Sequence, residues 1–215
     1  MSDCCSPKGY RRIFSERSAR SEGRRYRRKG LDGTSRRIVD FIRSQGVEGR
    51  TLLEVGGGIG AIQLELLKAG AARAVSIELT PTYEEVAREL LDEAGFAGRV
   101  ERKVMDFAEA AGEVEAADVV VMNRVMCCYH DMPRLAGAAA DHARQVLVLS
   151  YPRRTWWTEV GLALGNVIFR LTRAEFHVFL HPPKQILATS EAHGLRTVHD
   201  DQGLLWTVAG LRRSA

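Results

Sequence analysis

Short continuous apolar runs alternate with amphipathic stretches through the middle of the chain, and each run stops at a polar or glycine-rich turn. Thr34 or Ser35 caps a helix that carries Ile38, Val39, Phe41 and Ile42 on one side and ends near Gly46. Leu52-Leu53-Glu54-Val55 reads as a short buried strand that turns through Gly56, Gly57, Gly58 and Gly60 and enters a helix at about 61–69. A second strand follows at 74–79, then a helix opened by Pro81 and running to about Ala94. Strands at 100–105, 118–122 and 145–150 come next, with a helix at about 132–144 before the last of them. The apolar run DVVVM, with no polar position inside it, is expected to be central in a sheet. Alternating strand and helix predicts a doubly wound α/β fold, a parallel sheet covered on both faces.

The pattern changes after Tyr151-Pro152. Residues 155–171 read as an apolar helix, Glu175 to Leu180 have strand-like alternation, and Pro182-Pro183 opens a helix ending near Gly194. Two closing strands, 195–199 and 204–211, flank a tight turn at Asp200 to Gly203.

The glycine turn is where polar chemistry is expected. Glycines let a ligand lie against the main chain, and the first N–H groups of the following helix point outward. Gly56, Gly58 and Ala61 satisfy G-x-G-x-x-A on paper, with Glu78 at the distance of a ribose-binding acid, which keeps an NAD-dependent oxidoreductase open. The same stretch spells E-x-G-x-G-x-G through Glu54, Gly56, Gly58 and Gly60, and so resembles the first motif of class I S-adenosylmethionine-dependent methyltransferases. A buried carboxylate before the glycines repels a pyrophosphate and suits a cationic ligand, which favours the methyltransferase reading.

That resemblance, which covers about residues 34–150 well, implies a Rossmann-like, seven-stranded, mostly parallel sheet with the last strand antiparallel. It also implies S-adenosylmethionine as cofactor. Glu54, Gly56, Gly58 and Gly60 would then meet the methionine half, and Glu78, with Leu79 beside it, would accept from both ribose hydroxyls. Asp106 would meet the adenine amino group, Phe107 the ring, and Asn123 the cofactor at the end of the fourth strand.

The segment Asn123-Arg124-Val125-Met126-Cys127-Cys128-Tyr129-His130-Asp131 would face donor and acceptor together. His130 is the expected general base and Tyr129 an orienting hydroxyl, with Arg124 and Cys128 on the acceptor side. The segment lacks the N-P-P-aromatic signature of amide and base-nitrogen methylases, and no cysteine follows a proline as in C5-cytosine enzymes. An N-terminal arm (1–33), a methyltransferase domain (34–215) and a cap insertion (151–194) are loosely similar to magnesium-protoporphyrin and quinone-type small-molecule O-methyltransferases. Trp156 and Trp157, with Phe169, Phe176 and Phe179, would floor an acceptor pocket on that similarity; core packing of the same helix accounts for them equally.

Composition adds little except in the arm. The chain of 215 residues is 45% hydrophobic and 27% charged, ordinary for one soluble domain. No apolar run is long enough to span a bilayer, and a cytoplasmic protein is expected. Residues 1–37 hold 12 Lys+Arg against 4 Asp+Glu, and the remainder 19 against 23, so the positive balance of +4 resides in the arm. Residues 8–29 are expected to close over bound cofactor, with Tyr10 or an arginine from Arg24 to Arg28 touching it and Gly23 as a weak point in any helix. The alternative is an RNA-associated protein or RNA methyltransferase using the basic arm. Cys4-Cys5 and Cys127-Cys128 are adjacent pairs, read as reduced thiols with no metal site; their expected convergence offers a further alternative, methylation of a thiol or trivalent arsenic. The leading expectation is methyl transfer to a small-molecule acceptor, O-methylation first.

Overall fold

The computed structural model describes residues 7–214. The apolar runs become strands β1 (Thr51–Val55), β2 (Arg73–Glu78), β3 (Val100–Val104), β4 (Ala117–Asn123) and β5 (Ala143–Pro152), closed by β6 (Leu195–Gln202) and β7 (Trp206–Arg213). The sheet has the order β3-β2-β1-β4-β5-β7-β6, with β7 antiparallel to both neighbours and the first five strands parallel. The strand order reverses between β1 and β4, which opens a crevice at their C-terminal ends.

Side chains alternate across the sheet. Leu53, Val55, Val120, Met122, Leu147 and Leu149 face one layer, where α6 (Phe107–Ala110), α7 (Met132–His142) and α9 (Pro183–Ala192) supply Phe107, Leu135, Ala139 and Ile186. Leu52, Val119, Val121, Val146 and Val148 face the other, covered by α3 (Gly33–Ser44) and α4 (Ala61–Lys68) through Ile38, Ile42, Ile62 and Leu66. A strand buried on both faces needs apolar residues at every position, which is why β4 reads as a continuous run.

The arm is two helices, α1 (Pro7–Ile13) and α2 (Glu16–Lys29), the second capped by Ser15. Ala19 and Tyr26 of α2 are buried against Tyr83, Val86, Leu90 and Leu91, the last three on α5 (Glu84–Glu93). Arg27 pairs with Glu89 and Glu93, and Arg20 with Glu85, so part of the arm's positive charge is met by α5. Gly23 lies buried in mid-helix, where a Cβ would fall 2.6 Å from Val86 Cγ1. It permits close helix packing rather than breaking the helix.

Three other expectations shift. The cap of α3 is Asp32, whose carboxylate accepts from the Thr34 and Ser35 N–H groups. Residues 175–180 form no strand; they run irregularly, pinned to the remaining helix, α8 (Trp156–Leu171), by Asn166, whose side chain bonds both backbone groups of Val178. The closing strands extend further into the hairpin than their apolar content suggests, with the turn at 203–205 and a register shift between Thr197 and His199. Cys4 and Cys5 lie outside the described residues.

Gly23→Leu should overpack the α2–α5 contact and destabilise the protein by about 1–3 kcal/mol, read as a lower urea midpoint with unchanged slope. An unchanged midpoint would show that α2 does not pack as described.

Candidate active site

A cavity of about 260 Å³ lies at the C-terminal ends of β1, β2 and β4. Its floor is the glycine turn. Gly56 and Gly58 take φ of 68° and 60°, in the left-handed region that a side chain disfavours, and this lets the chain double back from β1 into α4. Glu78, at the end of β2, reaches over the turn and accepts the Gly58 N–H on Oε1 at 2.5 Å. Tyr83 packs beside Gly58 and also lines the cavity.

Strand register builds the wall behind this turn. Glu54, Ser76 and Arg102 are paired across β1, β2 and β3 and share one face. Arg102 donates to Ser76 Oγ at 3.1 Å and to the Gly58 carbonyl at 3.1 Å, and pairs with Glu84 at 2.9 Å. Glu54 is fully buried under Gly57 and accepts the Gln63 N–H at 3.4 Å, while its Oε1 has no partner among the described residues. Burial pushes the carboxyl of Glu54 up to about 7 and that of Glu78 up to about 8, with Arg102 opposing both shifts.

The far side is made by the ends of β3 and β4. Asp106 accepts from the Ala108 and Glu109 N–H groups, and from the Tyr129 hydroxyl at 3.0 Å. Burial, together with Asp106, pushes the Tyr129 phenol well above its ordinary value, so it stays a donor. Ser150 donates to Asn123 Oδ1 at 2.7 Å and accepts the Arg124 N–H at 2.8 Å, and Asn123 Nδ2 donates to Ser35 at 3.2 Å. This holds Arg124 at φ 63°, a strained angle for a residue with a Cβ. The Arg124 guanidinium pairs with Asp32 at 2.9 Å and lies over the Trp206 ring at 5.2 Å. Although burial works against ionisation of Asp32, Arg124 and the Ser35 and Thr34 contacts hold its carboxyl below the usual range.

The arm forms the roof. Tyr10, Phe14 and Glu22 line the cavity, and the Tyr10 hydroxyl donates to the Cys128 carbonyl. Arg24 to Arg28 do not line it; Arg25 lies on an adjoining open recess with Arg17, Asp32 and Arg124.

The structure therefore brings Gly56, Gly58, Glu78, Leu79, Asp106, Phe107, Asn123, Arg124, Cys128, Tyr129 and Tyr10 to one cavity. Six residues fall elsewhere. Glu54 lies one layer behind the turn because its β1 position points to the α4 side, and Gly60, the N-cap of α4, borders Gln63. His130 is exposed and stacks on Tyr129 from outside, at 5.2 Å between ring centroids. Trp156 and Trp157 stand on the outward side of α8. Phe176 packs behind the roof, 5.5 Å from Tyr10. Arg102, Glu22, Phe14 and Tyr83 escaped the sequence reading: Arg102 sits in the polar strand VERKV, where only tertiary register marks one polar residue as inward.

Cys127 and Cys128 sit with their sulfurs 3.7 Å apart. The contact with Cys128 draws the Cys127 thiol below its ordinary value, against burial. Among the described residues no group of His, Cys, Asp or Glu side chains is arranged to hold a metal.

The fold has counterparts in known proteins. The structure resembles that of magnesium protoporphyrin IX methyltransferase from Synechocystis PCC 6803 with bound SAH, at TM-score 0.71 and 17% identity, covering 95% of this chain and 100% of that one. It also resembles an O-methyltransferase family protein from Burkholderia thailandensis, at TM-score 0.67 and 23% identity, covering 94% and 64%. In sequence, 94 residues are 31% identical to ribosomal protein L11 methyltransferase of Yersinia pseudotuberculosis, a match that takes in 44% of this chain and only 31% of that relative. A methyltransferase domain model matches residues 24–200, which include the glycine turn, the ends of β2, β3 and β4, and α2 from Arg24 onward. With the seven-stranded sheet and the site at its switch point, that match shows that the chain belongs to the methyltransferase domain family.

Proposed function

We propose that the protein is an S-adenosylmethionine-dependent methyltransferase acting on a small molecule, with oxygen as the methyl-accepting atom. The donor set supports the cofactor: Glu22, Glu78 and Asp106 against a single arginine make a cavity whose carboxyls ionise more readily beside a cation and which offers a pyrophosphate little positive charge. Glu78 accepts one backbone N–H on Oε1, so its other oxygen and remaining lone pairs suit a pair of ribose hydroxyls. The observation that carries the acceptor class is the roof: Tyr10, Phe14 and Glu22 cover part of the cavity, which favours a compact acceptor over a folded macromolecule. The likeness to the O-methyltransferase family protein supports oxygen.

When bound, S-adenosylmethionine supplies a methyl group made electrophilic by its sulfonium. The chain's part is positioning and exclusion of water, the terms that dominate when the donor is already activated. Gly56 and Gly58 leave room along the main chain, Glu78 orients the ribose, and Asp106, fixed by Tyr129, orients the base over Phe107. Arg124, clamped by Asp32 and Trp206, holds the acceptor side. Because His130 faces outward, proton removal does not fall to it; an acceptor already ionised, or ionised next to Arg124, fits the site.

The test is methyl transfer from labelled S-adenosylmethionine to phenols and carboxylic acids, with ribosomal protein and RNA offered in parallel. Labelled methyl ethers or esters are expected, and transfer confined to protein or RNA would overturn the acceptor class. Glu78→Ala should weaken S-adenosylmethionine binding by about 1.5–3 kcal/mol with the fold intact; unchanged affinity would remove Glu78 from the site. Binding through an ionised Glu78 lowers its pKa from about 8, so affinity should be greatest above that pH. Below it, affinity should decline by up to about tenfold per pH unit. Calorimetry across that range should show this slope in the wild type and its loss in Glu78→Gln.

A further inference from the structure

The outer face of α8 departs from ordinary surface chemistry. No residue of this 16-residue helix is buried. Trp157, Val160, Leu164, Val167 and Leu171 recur at spacings of three and four, so they form one stripe, flanked by Trp156 and Ile168. Trp156 is 73% exposed, Leu164 59% and Leu171 78%. The opposite face is the one that holds the helix to the protein, through Asn166 on Val178 and Phe169 packed 5.4 Å from Phe176. Leu204 and Leu205, also exposed, extend the patch at the hairpin turn, which Arg153 ties to the start of α8 by donating its N–H to the Leu205 carbonyl at 2.8 Å.

The rim of this stripe is basic. Arg153 and Arg154 precede α8, and Arg170 and Arg173 stand at its end. Arg12 donates to the Thr172 and Arg173 carbonyls at 3.1 and 3.2 Å, which brings α1, with the exposed Lys8 and Arg11, to the same end. Residues 7–13 and 153–175 together carry seven Lys+Arg and two Asp+Glu, and Glu159 is already paired with Arg154. At about 24 Å the helix is too short to cross a bilayer, and no helix among the described residues is long and apolar enough to do so.

An exposed apolar stripe bearing tryptophans, ringed by cations, has the chemistry of a helix that lies in the headgroup layer of an anionic membrane. A second copy fits less well. Pairing along the stripe in either direction sets the arginines at one end of α8 against arginines of the partner copy, a like-charge contact. We propose that α8 and the hairpin tip dock this protein reversibly on an anionic lipid surface, with the stripe immersed and the arginines on the headgroups. This is independent of the acceptor reading.

The experiment uses the full chain with phosphatidylcholine vesicles with and without phosphatidylglycerol. Co-sedimentation and a blue shift of tryptophan emission are expected with the anionic vesicles, weakening as salt rises. Leu164→Glu with Ile168→Glu, at exposed positions, should abolish both while leaving circular dichroism unchanged. Arg153→Gln and Arg170→Gln should each weaken retention about fivefold. Absence of anionic-vesicle binding, or binding undisturbed by the glutamates, overturns the proposal. Equal retention on neutral vesicles overturns the role of the basic rim. A wild-type dimer that the glutamates convert to monomer, with no vesicle binding, assigns the face to a second copy instead.

Discussion

Two buried carboxylates, Glu54 beneath the glycine turn and Glu78 reaching over it, with the Arg102 guanidinium acting on both, constrain the structure around the site. Unpaired buried charge costs several kcal/mol, and Arg102 and the backbone N–H groups of Gln63 and Gly58 offset part of that cost for Glu54 and Glu78. Arg102 itself is held on its strand by Ser76, Glu84 and the Gly58 carbonyl. One cation therefore links the sheet register to the shape of the glycine turn. Compensation is incomplete, which leaves both carboxyls with pKa values near neutrality and Glu78 poised to gain from a hydrogen-bonding ligand.

A second polar network does the equivalent work at the switch point. Ser150 and Asn123 stand side by side on β5 and β4, and their hydrogen bonds turn the chain into the left-handed angle at Arg124. Asn123 also reaches Ser35 and Arg124 reaches Asp32, so the start of α3 is tied to both strand ends. The arm joins this frame through different physics. Ala19 and Tyr26 bury against α5, and Tyr10 closes on Cys128, so the roof is held by apolar burial at one end and a hydrogen bond at the cavity. These features, strain and unneutralised charge around a partly covered cavity, are what supports positioning chemistry here.

Against that frame, α8 differs in kind. Elsewhere, apolar residues at helical spacing face the sheet, as in α3 and α7. In α8 the polar Asn166 and the aromatic Phe169 contribute to the contact, and most of the large apolar residues face out. Under the proposal above, that outward stripe is the surface the membrane covers.

The sequence by itself determined much of this protein. The apolar runs located the seven strands, with one more expected at 175–180 that does not form, because alternation and turn chemistry are local properties; the closing topology and the cavity residues came from the family resemblance carried by the glycines after Leu52-Leu53-Glu54-Val55 and the acids at three successive strand ends. Only the tertiary structure decided where side chains of irregular or uniformly polar segments point. His130 and Tyr129 are neighbours, yet one faces solvent and the other the cavity, and within VERKV register alone turns Arg102 inward. An apolar helix such as α8 reads identically whether its stripe is core or surface, since periodicity reports that a face exists and only packing reports what meets it.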